Sequence, residues 1–191
     1  GRAIIKAAEK MKKDLDKGLG LKELAGKKYF GEVVIDYTNS LETKTDKPIT
    51  HMSFSFATQV CILDDSGKLK KYVAAHDVGR VINRKMIEGQ LEGAIHMGLG
   101  YALTEELKLK DGVPESFKFR SLGILRAKDM PETQILLIEE NEPEGPFGAK
   151  GVGEVGLVPT AGAVAGALYK FDGIRRYKLP MKDSPASKAI N

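Results

Sequence analysis

The 191-residue chain has no tryptophan and a single cysteine, Cys61. One cysteine excludes an internal disulfide and fits a reducing, cytoplasmic setting. It also excludes an iron–sulfur cluster or a cysteine-rich zinc site held by this chain alone. Histidine is scarce, with only His51, His76 and His96, and no H-E-x-x-H pairing is present. The nucleophile elbow G-x-S-x-G and the phosphate-binding G-x-x-x-x-G-K-[ST] are both missing. No apolar run reaches the roughly 20 residues that a membrane span needs. The first residues, Arg2-Ala3-Ile4-Ile5-Lys6, read as an amphipathic helix rather than a signal peptide. No membrane partner is expected.

What remains is the composition of a soluble globular domain, 42% hydrophobic and 29% charged. The formal charge of +4 is unevenly spread. Residues 1–28 carry nine Lys/Arg against four Asp/Glu, and residues 170–191 carry six against two, so the middle is acidic. Basic ends without interleaved aromatics read as solvated helix faces or protein-contact surfaces, not as a nucleic-acid site.

Along the chain, residues 2–14 place apolar side chains at 4, 5, 8 and 11, a short amphipathic helix. The chain opens inside that helix, which reads as a piece of something longer. Residues 31–37 (GEVVIDY) read as a strand, and 38–50 as a loop. A hairpin follows: Phe54, Phe56, Val60 and Ile62 share one face of an alternating run. Asp64-Asp65-Ser66-Gly67 is the turn, and Leu69, Val73 and Ala75 continue beyond it. Cys61, mid-strand, reads as a small buried apolar residue. Asn83 is an N-cap candidate for a helix over 84–107, with Ile87, Leu91, Ile95, Gly98 and Ala102 as its buried stripe. That helix carries Gly89, Gly93, Gly98 and Gly100, each costing roughly 1 kcal/mol relative to Ala. It keeps them where another backbone or a ligand lies against it. Residues 133–139 read as a buried strand. Pro159 opens a second small-residue helix up to about Phe171, where Gly162 and Gly166 permit close packing. The last ten residues read as loose.

Four glycines surround one acid in GAKGVGEVG, residues 148–156. Within it, Gly151 to Gly156 spell G-x-G-x-x-G, but no strand leads directly into the motif, and a carboxylate inside it would face a pyrophosphate. The dinucleotide reading is set aside. Two readings stay open from the residues alone. Glu154 is an exposed turn acid, or it is a general base on a loop whose glycines let backbone amides approach a ligand. In a dry pocket such an acid has its pKa raised.

Two segments, HDVGRVINRKMIEGQLEGAIHMGLGYALTEEL (76–107) and GAKGVGEVGLVPTAGAVAGALY (148–169), together resemble the molybdenum-binding subunit of the xanthine dehydrogenase / aldehyde oxidase family of molybdenum hydroxylases. The resemblance runs from about residue 31 to Pro180, at that subunit's C-terminal end. It implies an α+β fold of mixed sheets with packed glycine-rich helices, forming a cofactor-binding domain fragment over residues 1–180 with a loose tail over 181–191. It implies Glu154 as the catalytic base, with Gly89, Gln90 and the backbone of Lys150, Gly151, Val152 and Gly153 against the cofactor. The implied activity is insertion of a water-derived oxygen into an electron-poor C–H of a heterocycle or aldehyde. The implied cofactor is molybdenum–molybdopterin, the cytosine dinucleotide form among its variants, with iron–sulfur clusters and FAD on other chains or domains. The implied partners are the remainder of the molybdenum-binding subunit, an iron–sulfur subunit, an FAD subunit and a small-molecule substrate.

The sequence departs from the family pattern at Val155 and Arg84, where many members have proline. It is also several times shorter than the family subunit, so it is read as a C-terminal fragment, inactive by itself. A different class of function, a non-catalytic assembly module or a cofactor-less homologue of the same fold, stands beside this one. Glu88, Glu92 and His96 share a helix face, but a solvated or salt-bridged face is expected there and no residue is assigned as a metal ligand. His76-Asp77 reads as a dyad candidate or, for Asp77, as the residue that orders the turn toward Asn83.

Overall fold

The computed structural model describes residues 1–190. Two compact units emerge, one from residues 1–54 with 141–150, the other from residues 55–140 with those from 151 onward.

In the first unit, helix α1 spans Arg2–Asp16. Lys17 and Gly18 end it, the latter at φ +91°, which an L side chain rarely adopts. Near its end the Asp14 carboxylate gathers the Lys27 ammonium, the Tyr29 hydroxyl at 2.9 Å and Lys17 at 3.5 Å. The Lys27 and Tyr29 hydrogen bonds lower its pKa to about 2. Residues 31–37 are not a strand. The Lys6 ammonium donates to the Glu32 carbonyl at 2.9 Å and the Lys10 ammonium to the Phe30 carbonyl at 2.8 Å. Side chains of α1 thus take carbonyls that a neighbouring strand would otherwise need. Gly31 lies so close that a Cβ there would collide with the Ala3 carbonyl. The β-branched run was a propensity signal without a partner strand, and tertiary context overrode it.

The second unit is a three-stranded sheet with two helices packed on it. Strands β1 (Ala57–Leu63) and β2 (Leu69–Asp77) form the antiparallel hairpin, and β2 pairs in parallel with β5 (Glu132–Ile138). The turn is built as its sequence indicated. Asp64 Oδ1 accepts from the amides of Ser66 (2.8 Å) and Lys68 (3.0 Å), and Gly67 sits at φ +81°. Helix α2 spans Arg84–Leu103, capped by Asn83 Oδ1, which accepts from the Met86 amide at 3.1 Å. It stops short of residue 107 because the amides of Thr104 and Glu105 both turn back to the Gly100 carbonyl. A small hairpin follows, β3 (Leu109–Lys110) with β4 (Val113–Pro114). Helix α3 spans Thr160–Asp172 and the short α4 spans Pro185–Lys188. Leu91, Leu99, Leu103, Val164 and Leu168 of the helices are fully buried, as are Tyr72 and Ala74 of the sheet.

The phase of the hairpin is opposite to the apolar run that drew attention to it. Cys61, Tyr72, Ala74 and His76 point into the core, whereas Phe56 is 75% exposed and Val60 50%. A one-residue shift exchanges the two faces of a strand, and both faces of β1 contain apolar residues, so alternation alone did not select between them. Strand β5 is half-buried, not buried, because only one of its faces is covered: Leu136 and Ile138 face outward while Ile135 packs on the core. Gly162 and Gly166 are exposed, with nothing within 4 Å of an added Cβ, so they do not mediate close packing among the described residues. The C-terminal segment is not loose. Met181, Ser184, Ala186 and Ser187 are buried, and the Ser187 hydroxyl donates to the Leu103 carbonyl at 2.8 Å. Asn191 of that tail lies outside the described residues.

Candidate cofactor cleft

Helix α2 and the loop before α3 meet at a cleft of about 430 Å³. Gly89, Gln90, Gly93, Ala94 and Met97 line it from α2, and Gly153, Glu154, Leu157 and Val158 from the loop. Gly89 and Gly93 are one helical turn apart, so they bare one strip of the α2 backbone. Among the described residues, a Cβ added at Gly89, Gly93, Gly151 or Gly153 meets nothing within 4 Å. Gly156 is different: a Cβ there would come within 2.7 Å of Ala94 Cβ, so this glycine lets the loop press on α2. Gly98 serves packing too, against Thr160 of α3. The glycines therefore divide into those that dock one element on another and those that leave an open floor.

Polar groups are placed at the edges of that floor. Gln90 Nε2 donates to the Gly153 carbonyl at 3.2 Å. After Glu154 the chain turns, its carbonyl accepting from the amides of Leu157 (2.9 Å) and Val158 (3.3 Å). Glu154 itself is exposed. The dry enclosure expected around it is not supplied by this unit, because Glu154 and the neighbouring Val158 are both exposed.

Of the residues singled out from the sequence, Gly89, Gln90, Gly153 and Glu154 line one cleft. Gly151 and Val152 belong to the same unit without lining it. Lys150 ends the first unit, where its ammonium donates to the Phe54 carbonyl at 2.8 Å. Glu88 pairs with Arg84 at 2.8 Å, and the His96 ring donates from Nε2 to the Leu125 carbonyl at 2.7 Å. Asp77 Oδ1 accepts from the Gly79 amide at 3.1 Å and so orders the turn after β2. Sequence reasoning missed Gln59, whose carboxamide reaches the loop from β1. Its signal was a polar residue at an inward strand position, two before the buried Cys61.

A bare helix strip, a glycine loop and converging amide and carboxylate groups define a ligand-binding α+β domain. Residues 1–131 match the family described as the molybdopterin cofactor-binding domain, and the chain belongs to that family. The match begins some thirty residues before the stretch over which the resemblance ran, and it includes the hairpin and α2 but ends before Glu154. The chain is 30% identical over 145 residues to the putative xanthine dehydrogenase molybdenum-binding subunit XdhA of Escherichia coli, covering 75% of this chain and 19% of that protein. It is 34% identical over 129 residues to the gamma subunit of the 6-hydroxypseudooxynicotine dehydrogenase complex of Paenarthrobacter nicotinovorans, covering 64% and 16%. Among solved structures it is similar to the aldehyde oxidoreductase of Desulfovibrio desulfuricans, at 27% identity and a TM-score of 0.56, covering 68% of this chain and 14% of that one. The chain thus spans about a fifth of the length of these curated relatives.

Proposed function

We propose that the chain is part of a molybdenum hydroxylase and contributes the α2–loop cleft to its cofactor site, with Glu154 as the general base. The observation that carries this reading is the convergence of Gln90 and Glu154, 64 positions apart in sequence, on one cleft. The residues present fit the group. Three glycines of the cleft, Gly89, Gly93 and Gly153, leave space that a Cβ would fill, and the Gln90 amide and the Glu154 carboxylate line the same cleft. When bound, molybdenum–molybdopterin supplies the redox chemistry that places a water-derived oxygen on an electron-poor carbon of a heterocycle or aldehyde.

The chain's own residues do the rest. Gly89 and Gly93 bare the α2 backbone, so a flat ring system can lie against it. Gln90 fixes the Gly153 carbonyl and with it the entry to the Glu154 turn. The Glu154 carboxylate accepts a proton during the oxygen transfer and releases it to solvent afterwards, the work of a positioned base. Water exclusion has to come from elements outside this unit; that the chain spans about a fifth of its curated relatives' length supports the reading that it is inactive by itself. The partners in this proposal are the remainder of the molybdenum-binding subunit, an iron–sulfur subunit, an FAD subunit and the small-molecule substrate, in the cytoplasm. Cys61 as the sole cysteine supports placing the clusters on other chains, and the cytosine dinucleotide is one nucleotide form of the pterin.

The test is Glu154→Gln in the cofactor-loaded complex. Elemental analysis is expected to show unchanged molybdenum, and turnover to fall by about 10²–10⁴-fold. Undiminished turnover would instead favour a non-catalytic role for this loop.

A further inference from the structure

Gln59, which does not line the cleft, reaches the Glu154 loop from β1 and uses its whole hydrogen-bonding capacity. Its Oε1 accepts from the Tyr72 hydroxyl at 2.7 Å and the Thr160 hydroxyl at 2.9 Å. Its Nε2 donates to the Gly156 carbonyl at 2.7 Å and lies 3.0 Å from His76 Nε2. A primary amide has two donors and two acceptor lone pairs, so nothing is left over. The second donor needs a lone pair on His76 Nε2, which fixes the ring as the neutral tautomer with its proton on Nδ1. That Nδ1 is buried with no hydrogen-bond partner among the described residues. His76, Tyr72 and Thr160 are themselves fully buried.

The target of the amide is specific. Gly156 stands two residues after Glu154, and its carbonyl lies 3.2 Å from the Thr160 hydroxyl, whose single proton goes to the nearer Gln59 Oε1. Gln90 holds the Gly153 carbonyl one residue before Glu154. Two glutamine amides, one from β1 and one from α2, thus grip the loop on either side of the acid. The strand residue is the less exposed member of the pair: Gln59 is half-buried and its side-chain partners Tyr72, His76 and Thr160 are fully buried, whereas Gln90 is exposed.

We propose that Gln59 is a positioning residue for Glu154: its carboxamide, itself oriented by Tyr72, His76 and Thr160, clamps the Gly156 carbonyl and so sets where the acid stands relative to the α2 floor. This deepens the proposed function and rests on Glu154 being the base there. A clamp made for stability alone would hold any loop to the sheet; this one fixes the backbone two residues from the acid.

The test uses the cofactor-loaded complex and needs no substrate. Gln59→Met keeps the length and apolar volume but removes both donors. Thr160→Val is a milder second variant that keeps its shape against Gly98. Ser187→Ala removes a buried hydrogen bond between α4 and the end of α2, outside the cleft, and controls for lost stability. Gln59→Met and Thr160→Val are expected to keep molybdenum by elemental analysis. Amide hydrogen exchange at Leu157 and Val158, which report the Glu154 turn, should speed up about tenfold, the loss of one hydrogen bond. The molybdenum(V) electron paramagnetic resonance signal of the dithionite-reduced protein should change as it does in Glu154→Gln. Adding Gln59→Met to Glu154→Gln should change that signal no further. Ser187→Ala should lower the Tm and move neither readout. Wild-type exchange and signal in both clamp variants, at a Tm loss like that of Ser187→Ala, would overturn the inference and leave the base reading standing. A signal and turnover unaltered by Glu154→Gln would overturn the base reading, and the positioning role with it, even if the loop exchanged faster.

Discussion

A Cβ on Gly98 would stand 2.5 Å from Thr160 Cβ, so the first residue of α3 packs directly on the backbone of α2. This contact sets the spacing of the two helices that flank the loop. Gly98→Ala should therefore destabilise the chain, even though Ala is the better helix former by about 1 kcal/mol. Both groups are buried and neither is the flexible end of a long side chain. An overpacking cost of about 1–3 kcal/mol is the larger effect. Denaturant unfolding should show a lower midpoint at an unchanged m value.

Gly93 should behave in the opposite way. Nothing lies within 4 Å of an added Cβ, so Gly93→Ala gains the helix propensity without a clash, and the cofactor-free chain should be stabilised by about 0.5–1 kcal/mol. The methyl group would occupy the cleft floor. Molybdenum content of the assembled protein should fall, and a variant both more stable and fully loaded would count against a cofactor lying there.

His76 links stability to pH. Burial lowers its pKa below the ordinary value of 6.5, so between the folded and unfolded pKa values the unfolded chain binds more protons. Stability then rises with pH and is lost as pH falls below about 6.5. Protonation would also place an N–H against the Gln59 amide. His76→Gln keeps an acceptor but does not titrate. Its Tm should vary less than the wild-type Tm between pH 8 and pH 5.

Cys61 is 8% exposed, and burial pushes its thiol pKa up to about 12. Neither thiolate nor access is available in the folded chain. A thiol-specific chromogenic reagent at pH 8 should label it only in denaturant. Rapid labelling of the native chain would show that the core around β1 opens.

The elements with local chemical signals were legible in the sequence. The Asp64–Gly67 turn, the Asn83 cap and the α2 stripe are each written in a few adjacent or periodic residues, and the structure has them, with Leu91, Ile95, Gly98 and Ala102 buried and Ile87 of that stripe only partly so. Residues 31–37 looked like a strand because β-branched residues are concentrated there, yet the Glu32 carbonyl, and that of Phe30 just before the run, accept from lysines of α1. The C-terminal tail looked loose because it is polar. Its small residues are the ones that fit between α4 and the end of α2.

The same division holds for the site. Local composition determined that a glycine-crowded acid and a glycine-rich helix exist, because backbone freedom and helix period are properties of a few neighbouring residues. Only the tertiary structure decided which glycines face open space and which press on a neighbour. It also decided that Gln90 and Gln59 grip the loop at Gly153 and Gly156. These are contacts between residues 63 and 97 positions apart, and the hydrogen bonds that make them depend on how the sheet and helices pack, which no short stretch of sequence records.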